Sequence, residues 1–355
     1  MVHPRDKLRL KMTRRDWIGQ LMLSLRPDRL DDAARAIGER VASGYLEAAV
    51  LAVRGGKSEY VRAFGKARTP RAVFLLASIT KPMTAAGVML LADRRELSLD
   101  DPVSRFIPEF RGGVRPRVLI RHLLTHTSGL PDMLPENVEL RRRHAPLQEF
   151  VDRTCRTPLL FAPGAEVRYQ SMGILLAAEI VQRITRRPFA DYLKDSVFAP
   201  LGLNDTSLGL GGRAIADVMH CQVDEVNAWD WNSPYWRNLA APWGGAHSTA
   251  GDVIRFLGSF GPPGTGPLRP ATAQAMISEQ THGLRPRWGL GWALNEGRFG
   301  RASSSAAFGH GGSTGTLCWR DPAKDLSFAL LTTKPAEHSN PTVLYPAADR
   351  VSEAV

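Results

Sequence analysis

Apolar residues recur three and four apart at Leu30, Ala33, Ala34, Ile37 and Val41, the stripe of an amphipathic helix that Gly44 brings to an end. A near-continuous apolar run over 48–53, a Gly55-Gly56 turn and an extended run over 59–64 then predict a β-hairpin. Residues 73–77, Val-Phe-Leu-Leu-Ala, read as a short buried run. Met83, Ala86, Met89 and Leu90 carry a helical stripe from there to Arg94-Arg95-Glu96. From 78 to about 276 the pattern is mostly helical with long loops, clearest over 175–184 and 250–256. Strand-like runs return at 288–294, 306–310, 316–320 and 326–332, and Asp321-Pro322-Ala323-Lys324-Asp325 is a hairpin turn between the last two. A final helix is predicted from about 341 to the end.

Strands near both ends and helices between them predict an α+β fold. One antiparallel sheet is flanked by the N- and C-terminal helices and interrupted by a large, mostly helical insertion. The expected division is an N-terminal extension over 1–27, a sheet lobe of 28–77 plus 283–355, and a helical lobe of 78–282. One catalytic unit results, with its cleft where the lobes meet, at Ser78.

Composition changes this picture little. The chain has 355 residues, 43% hydrophobic and 23% charged, and can bury a large core. No run of 18 apolar residues predicts a membrane span. The net charge of +11 comes from 38 arginines and 8 lysines scattered through the predicted helices. The one dense cluster, Arg141-Arg142-Arg143-His144, has no nucleic-acid-binding module beside it, so a solvated basic surface is expected and no specific nucleic-acid partner. Cys155, Cys221 and Cys318 are odd in number and far apart, which fits neither a disulfide framework nor a metal cluster. His122 and His126 have metal-ligand spacing, but His122 is not followed by the acidic residue a zinc hydrolase needs. No metal or cofactor is expected. Thr13-Arg14-Arg15-Asp16-Trp17-Ile18 has the look of a degenerate twin-arginine export signal, with an apolar stretch that is short and interrupted by Gln20. A cytoplasmic location is expected, with export through the Arg14-Arg15 segment as the alternative. Nothing in the pattern sets an oligomeric state.

Ser78-Ile79-Thr80-Lys81 carries the chemistry. Residues i and i+3 of a helix share a face, with Cβ atoms about 5–6 Å apart. A lysine held there, once neutral, can take a serine's proton and make an acyl acceptor of a weak alcohol. Ser78 is expected to open a helix, where unpaired backbone N–H groups meet developing negative charge. With 21 serines and 8 lysines, chance alone supplies roughly half such a pair, so the rest of the chain has to corroborate it. Further along come Tyr169-Gln170-Ser171, just before a helix, and Phe308-Gly309-His310-Gly311-Gly312-Ser313-Thr314-Gly315 at a strand.

With these three segments in this order, the chain resembles the serine β-lactamase and penicillin-binding-protein superfamily, above all the class C β-lactamases and their related esterases. The family's motifs are S-x-x-K, Tyr-x-Asn or Ser-x-Asn, and a Lys/His-x-Gly strand. The resemblance spans roughly 30 to 335 and includes Leu123-Leu124-Thr125-His126-Thr127-Ser128-Gly129-Leu130-Pro131. It implies a β-lactamase/transpeptidase-like fold and a small ester or amide substrate. Ser78 is then the residue acylated, and Lys81 and Tyr169 share the proton transfers, the adjacent ammonium favouring the phenolate of Tyr169. The backbone N–H groups of Ser78 and Ser313 form the oxyanion hole. His310, Gly312 and Ser171 take part in substrate binding, with Gly311 and Gly312 letting substrate lie close to the strand.

Two positions depart from the β-lactamase pattern. Ser171 stands in place of asparagine, and His310 in place of a lysine that would offer a fixed cation to a carboxylate. Both changes point to a serine hydrolase acting on small carboxylic esters. β-Lactamase or D-alanyl carboxypeptidase activity is the alternative, and a non-catalytic binding protein of the same fold is the second. Gly311-Gly312-Ser313-Thr314-Gly315 also matches the G-x-S-x-G elbow of α/β-hydrolases, with Asp325 and His338 following in the right order. That elbow, however, requires a helix after the serine, where a strand is predicted. The loops 130–146 and 223–242, the second rich in tryptophan, are expected to shape the pocket.

Overall fold

In the computed structural model, residues 25–261 and 266–355 are described. The Arg14-Arg15 segment lies outside the described residues, as do residues 262–265 of a Gly/Pro-rich loop.

Strand β1 (Ala48–Gly55) reads as a continuous apolar run because both of its faces are covered. Ala49, Leu51 and Val53 join a core with Leu30 and Ile37 of helix α1 (Pro27–Ala42) and Ala347 and Val351 of α5 (Tyr345–Ser352). Ala48, Val50 and Ala52 point the other way. They enter the larger core made with α2 (Thr80–Asp93), α3 (Met172–Thr185) and α4 (Ala250–Gly258). The period-two alternation of one strand thus joins the terminal helices to the helical insertion.

β1 forms the predicted hairpin with β2 (Ser58–Gly65), closing at Gly55 opposite Ser58. On its other side it pairs with β9 (Leu326–Thr332), and β8 (Thr316–Asp321), β7 (Phe308–Gly312) and β6 (Ala293–Leu294) follow. The sheet order is β2-β1-β9-β8-β7-β6, antiparallel throughout, the α+β arrangement expected from the pattern.

Three local expectations change. Of the strand predicted over 288–294 only Ala293–Leu294 is β6, with Trp288 touching Ala293 in an isolated bridge. Gly289 presses on the Met276 carbonyl, where a Cβ would come within 2.0 Å, and Gly291 at φ 85° donates its N–H to Leu124 O. These contacts hold the segment against the helical region and out of the sheet. β7 is displaced two residues from the predicted 306–310. A second sheet escapes the sequence pattern: β3 (Phe74–Leu75) and β4 (Ser207–Leu208) both pair with β5 (Ala246–Ser248). Strands of two and three residues are too short to show a period. Among the described residues no helix is long and apolar enough to cross a membrane.

Candidate active site

Ser78 lies in a 3-10 turn, Ala77–Ile79, that leads directly into α2. Three hydroxyl groups fasten this turn, two from the distant β7–β8 hairpin and one from Thr80 beside it. Thr314 Oγ1 donates to Leu75 O (2.7 Å) and Thr316 Oγ1 to Leu76 O (2.9 Å). Thr80 Oγ1 donates to Ala77 O (2.7 Å) while accepting the N–H of Ala246 (3.0 Å). Leu76 N–H reaches Ala246 O at 2.8 Å. Ala77 is held at φ 47°, a left-handed conformation that costs a residue with a Cβ energy and persists because its surroundings fix it. Gly312 packs against the same turn. A Cβ there would lie 2.2 Å from both Leu76 O and Thr316 Oγ1, so the glycine is needed for backbone-to-backbone packing. That differs from the expected need for space beside a substrate, which only Gly311, with ordinary contacts around its Cβ position, could meet.

Lys81 Nζ donates to Ser78 Oγ at 2.9 Å and to Trp243 O at 3.0 Å, and lies 4.7 Å from the centre of the Tyr169 ring. The lysine is 1% exposed. Burial penalises its ammonium and pulls its pKa down to about 7, against an opposing pull from the Asp132 carboxylate. Near neutral pH much of Lys81 is therefore a free amine one hydrogen bond from a serine hydroxyl. This is the state a general base requires.

Tyr169 is carried on the chain just before α3 and held by rings and by its neighbour Gln170. His126 lies 4.7 Å from it, Trp288 5.8 Å and His310 6.0 Å, centre to centre. Gln170 is anchored at three atoms: its N–H donates to His126 Nδ1 (3.2 Å), its Nε2 to His122 O (3.0 Å), and its Oε1 accepts Ser128 Oγ (2.5 Å). Burial drives the Tyr169 pKa far above the usual phenol value, and the facing Ser78 offsets this only in part. The expected phenolate is overturned. A lysine that deprotonates near 7 supplies little positive charge to stabilise one, and desolvation dominates. A buried phenol at Tyr169 can donate a proton, and a neutral amine at Lys81 can accept one.

His310 on β7 is 4% exposed. Its Nδ1–H donates to Gly311 O at 2.7 Å, which fixes the tautomer and leaves Nε2 as a buried acceptor with no partner. Burial, and then Lys81, lower its pKa to about 3, so it is neutral across the physiological range. Ser313 follows in the tight turn between β7 and β8, opposite Ser78. The N–H groups of both serines are without a partner among the described residues. Ser78, Tyr169, His310, Gly312 and Ser313 line one cavity of about 450 Å³, walled further by Trp288, Phe299, Leu317 and Arg298.

Ser171 stands apart from this cavity. It precedes α3, and its hydroxyl donates to Asp132 Oδ1 at 2.6 Å, so it orients a carboxylate that acts on Lys81. Asp132, His126, Trp288 and Arg298 were not singled out from the sequence as site residues. Asp132 directly follows the Gly129-Leu130-Pro131 segment, the only local hint. His122 and His126 do not act as a ligand pair, since each uses Nδ1 to accept a backbone N–H, from Leu119 (3.1 Å) and Gln170. The nucleophile elbow fails too: β8, not a helix, follows Ser313. Asp325 lies at the far end of that six-residue strand, about 20 Å away, paired with Arg320 at 2.7 Å. The tryptophan-rich segment 223–242 lines none of the cavity. Trp229 and Trp236 instead enclose the guanidinium of Arg141, at 5.1 and 4.2 Å.

An antiparallel α+β sheet with a serine and a buried lysine one turn apart beside its strand β7 defines a serine hydrolase of the β-lactamase/transpeptidase fold. The same fold is found in EstCE1, a hydrolase with promiscuous acyltransferase activity (TM-score 0.77, 22% identity, 92% of this chain and 98% of that one). It also occurs in a family VIII carboxylesterase (TM-score 0.75, 20% identity, 92% and 96%). The chain belongs to the Beta-lactamase family, whose model matches residues 33–352. Esterase EstB of Burkholderia gladioli is 32% identical over 349 residues, covering 84% of this chain and 88% of that protein. Penicillin-binding protein 4 of Amycolatopsis lactamdurans is 32% identical over 273 residues, covering 72% and 69%.

Proposed function

We propose that the protein is an esterase that cleaves small carboxylic esters through an acyl-enzyme on Ser78, with Lys81 as base and Tyr169 as proton relay. The carrying observation is the 2.9 Å contact between Ser78 Oγ and a buried Lys81 whose pKa lies near 7. Ser78 Oγ attacks the ester carbonyl and passes its proton to Lys81 Nζ. The oxyanion forms against the N–H groups of Ser78 and Ser313. As the carbonyl re-forms, the alcohol leaves with a proton from Tyr169, which Lys81 replaces. Water then attacks the acyl group and gives a proton to Lys81, which returns it to Ser78 Oγ as the acid leaves, restoring free Ser78 and neutral Lys81.

Esters are favoured over β-lactams by the two departures. His310 is neutral where a carboxylate would want a cation, and the Ser171 hydroxyl is committed to Asp132. The name of the esterase relative, matched over most of both chains, supports the same reading. Acylation by a β-lactam or a D-alanyl peptide is the second reading. The penicillin-binding-protein relative supports it, as does Arg298, a cation within the cavity.

Short-chain nitrophenyl esters should exceed a chromogenic cephalosporin in kcat/KM by about two decades, the discrimination expected when a charged anchor is missing. A fluorophosphonate probe should label Ser78, and Ser78→Ala should abolish labelling. Faster cephalosporin turnover puts the second reading first. Labelling at Ser313 overturns the assignment of the nucleophile.

A further inference from the structure

Fifteen residues line the cavity, and only Arg298 among them carries a fixed charge. His310 is neutral, and no carboxylate is part of the wall. The neighbouring arginines are all spoken for: Arg301 pairs with Asp349 at 3.0 Å, and both Arg285 and Arg287 with Glu296. The Arg298 guanidinium has no ion pair or hydrogen bond among the described residues, although the side chain is exposed. Its backbone is nonetheless held. Asn295 Oδ1 accepts the N–H groups of Gly297 (3.0 Å) and Arg298 (3.2 Å), and Asn295 Nδ2 donates to Ser304 O (2.9 Å). Gly297 at φ 88° completes the turn. A cation without a partner among the described residues is thus carried on a hydrogen-bonded turn that lines the pocket containing Ser78.

We propose that Arg298 selects esters that carry a carboxylate several bonds from the scissile carbonyl. This rests on the esterase reading and adds the substrate class to it. The planar guanidinium grips a carboxylate through two parallel hydrogen bonds, a geometry lysine cannot match. The carbon chain joining carboxylate and ester lies along Trp288, Phe299 and Leu317. Because nothing of opposite charge lines the cavity, a substrate anion finds no competing acid there.

Two matched pairs of esters test this. Nitrophenyl hydrogen glutarate is compared with its neutral methyl-capped form, which places the carboxylate on the acyl side. The acetate ester of 3-hydroxybenzoic acid is compared with that of its methyl ester, which places it on the alcohol side. In at least one pair the charged member should have a KM about tenfold lower, with kcat within about twofold, since the contact is made equally in ground and transition states. That ratio should shrink with added salt, fall to about one in Arg298→Gln, invert in Arg298→Glu and survive in part in Arg298→Lys. Ratios near one in both pairs for the unmodified protein overturn the proposal, as does a preference that persists in Arg298→Gln. Failure to hydrolyse any of the four esters overturns the esterase reading itself, a distinct result.

Discussion

The two sides of the cleft are built by different physics. The side formed by the Ser78 turn and the β7–β8 hairpin is fastened at its main chain, by threonine hydroxyls on its carbonyls and by close backbone packing. Thr80, Thr314 and Thr316 direct hydroxyls at carbonyls of residues 75–77, and Gly312 lies on Leu76 O without room for a methyl group. The Tyr169 side is held by side chains: the tilted rings of His126 and Trp288, the three anchors of Gln170, and the Asp132–Ser171 pair. The first side sets positions. The second sets the energies of protons. Substitutions on the first side should therefore damage folding and rate together, and those on the second should alter rate and pH profile while the fold stands.

The largest effect is expected across both sides at once. Lys81→Ala and Tyr169→Phe should each lower kcat by about a thousandfold, the scale of lost general acid–base catalysis. The double variant should fall little below the worse single one, because the two groups move one proton chain. Multiplying losses in steady-state kinetics would separate the sides that Lys81 is taken to join. Next comes Gly312→Ala. The inserted methyl must displace Leu76 O or Thr316, destabilising the protein by about 1–3 kcal/mol in denaturant melts and reducing turnover as the turn shifts. A stable, fully active Gly312→Ala would show that the first side is not rigid. Thr316→Val removes the 2.9 Å donor to the Leu76 carbonyl, leaving the longer 3.4 Å contact from the Ile79 N–H, and should cost about 1 kcal/mol by the same melts, with a smaller loss of rate. The gentlest change is Asp132→Asn. With Lys81 as the proposed base, kcat/KM should fall as pH drops below about 7. Asp132 raises that pKa, so its removal should move the acid limb to lower pH with little change in melting temperature. A limb that moves upward would contradict the electrostatic role of the second side. His126 and His310 are uncharged in this range and leave the limb to Lys81.

Much of this was readable from local pattern. The stripe at Leu30–Val41, the hairpin at 48–64 and the runs at 316–320 and 326–332 emerge where predicted, since helix and strand periods are written in neighbouring residues. The run at 288–294 misled for the opposite reason. Gly289 and Gly291 answer to Met276 and Leu124, partners that no window around Trp288 contains. The tryptophans of 223–242 suggested a pocket by composition, but they close on Arg141, nearly a hundred residues earlier.

The same division runs through the site. That Ser78 and Lys81 share a helical face is a property of spacing, and the sequence alone determines it. That Tyr169, His310 and Ser313 come to the cavity of Ser78 was legible only through resemblance to a family, because each lies 91 residues or more from Ser78 and such separations carry no local signal. What the lysine is worth as a base was decided by tertiary structure. Its pKa depends on how completely Trp243, Tyr169 and their neighbours exclude water, and on a carboxylate from another loop. Desolvation and Coulomb energy follow distances in space, and those exist only once the chain has folded. The same holds for Arg298, one of 38 arginines along the chain and, among the described residues, the only fixed charge lining the cavity that holds Ser78.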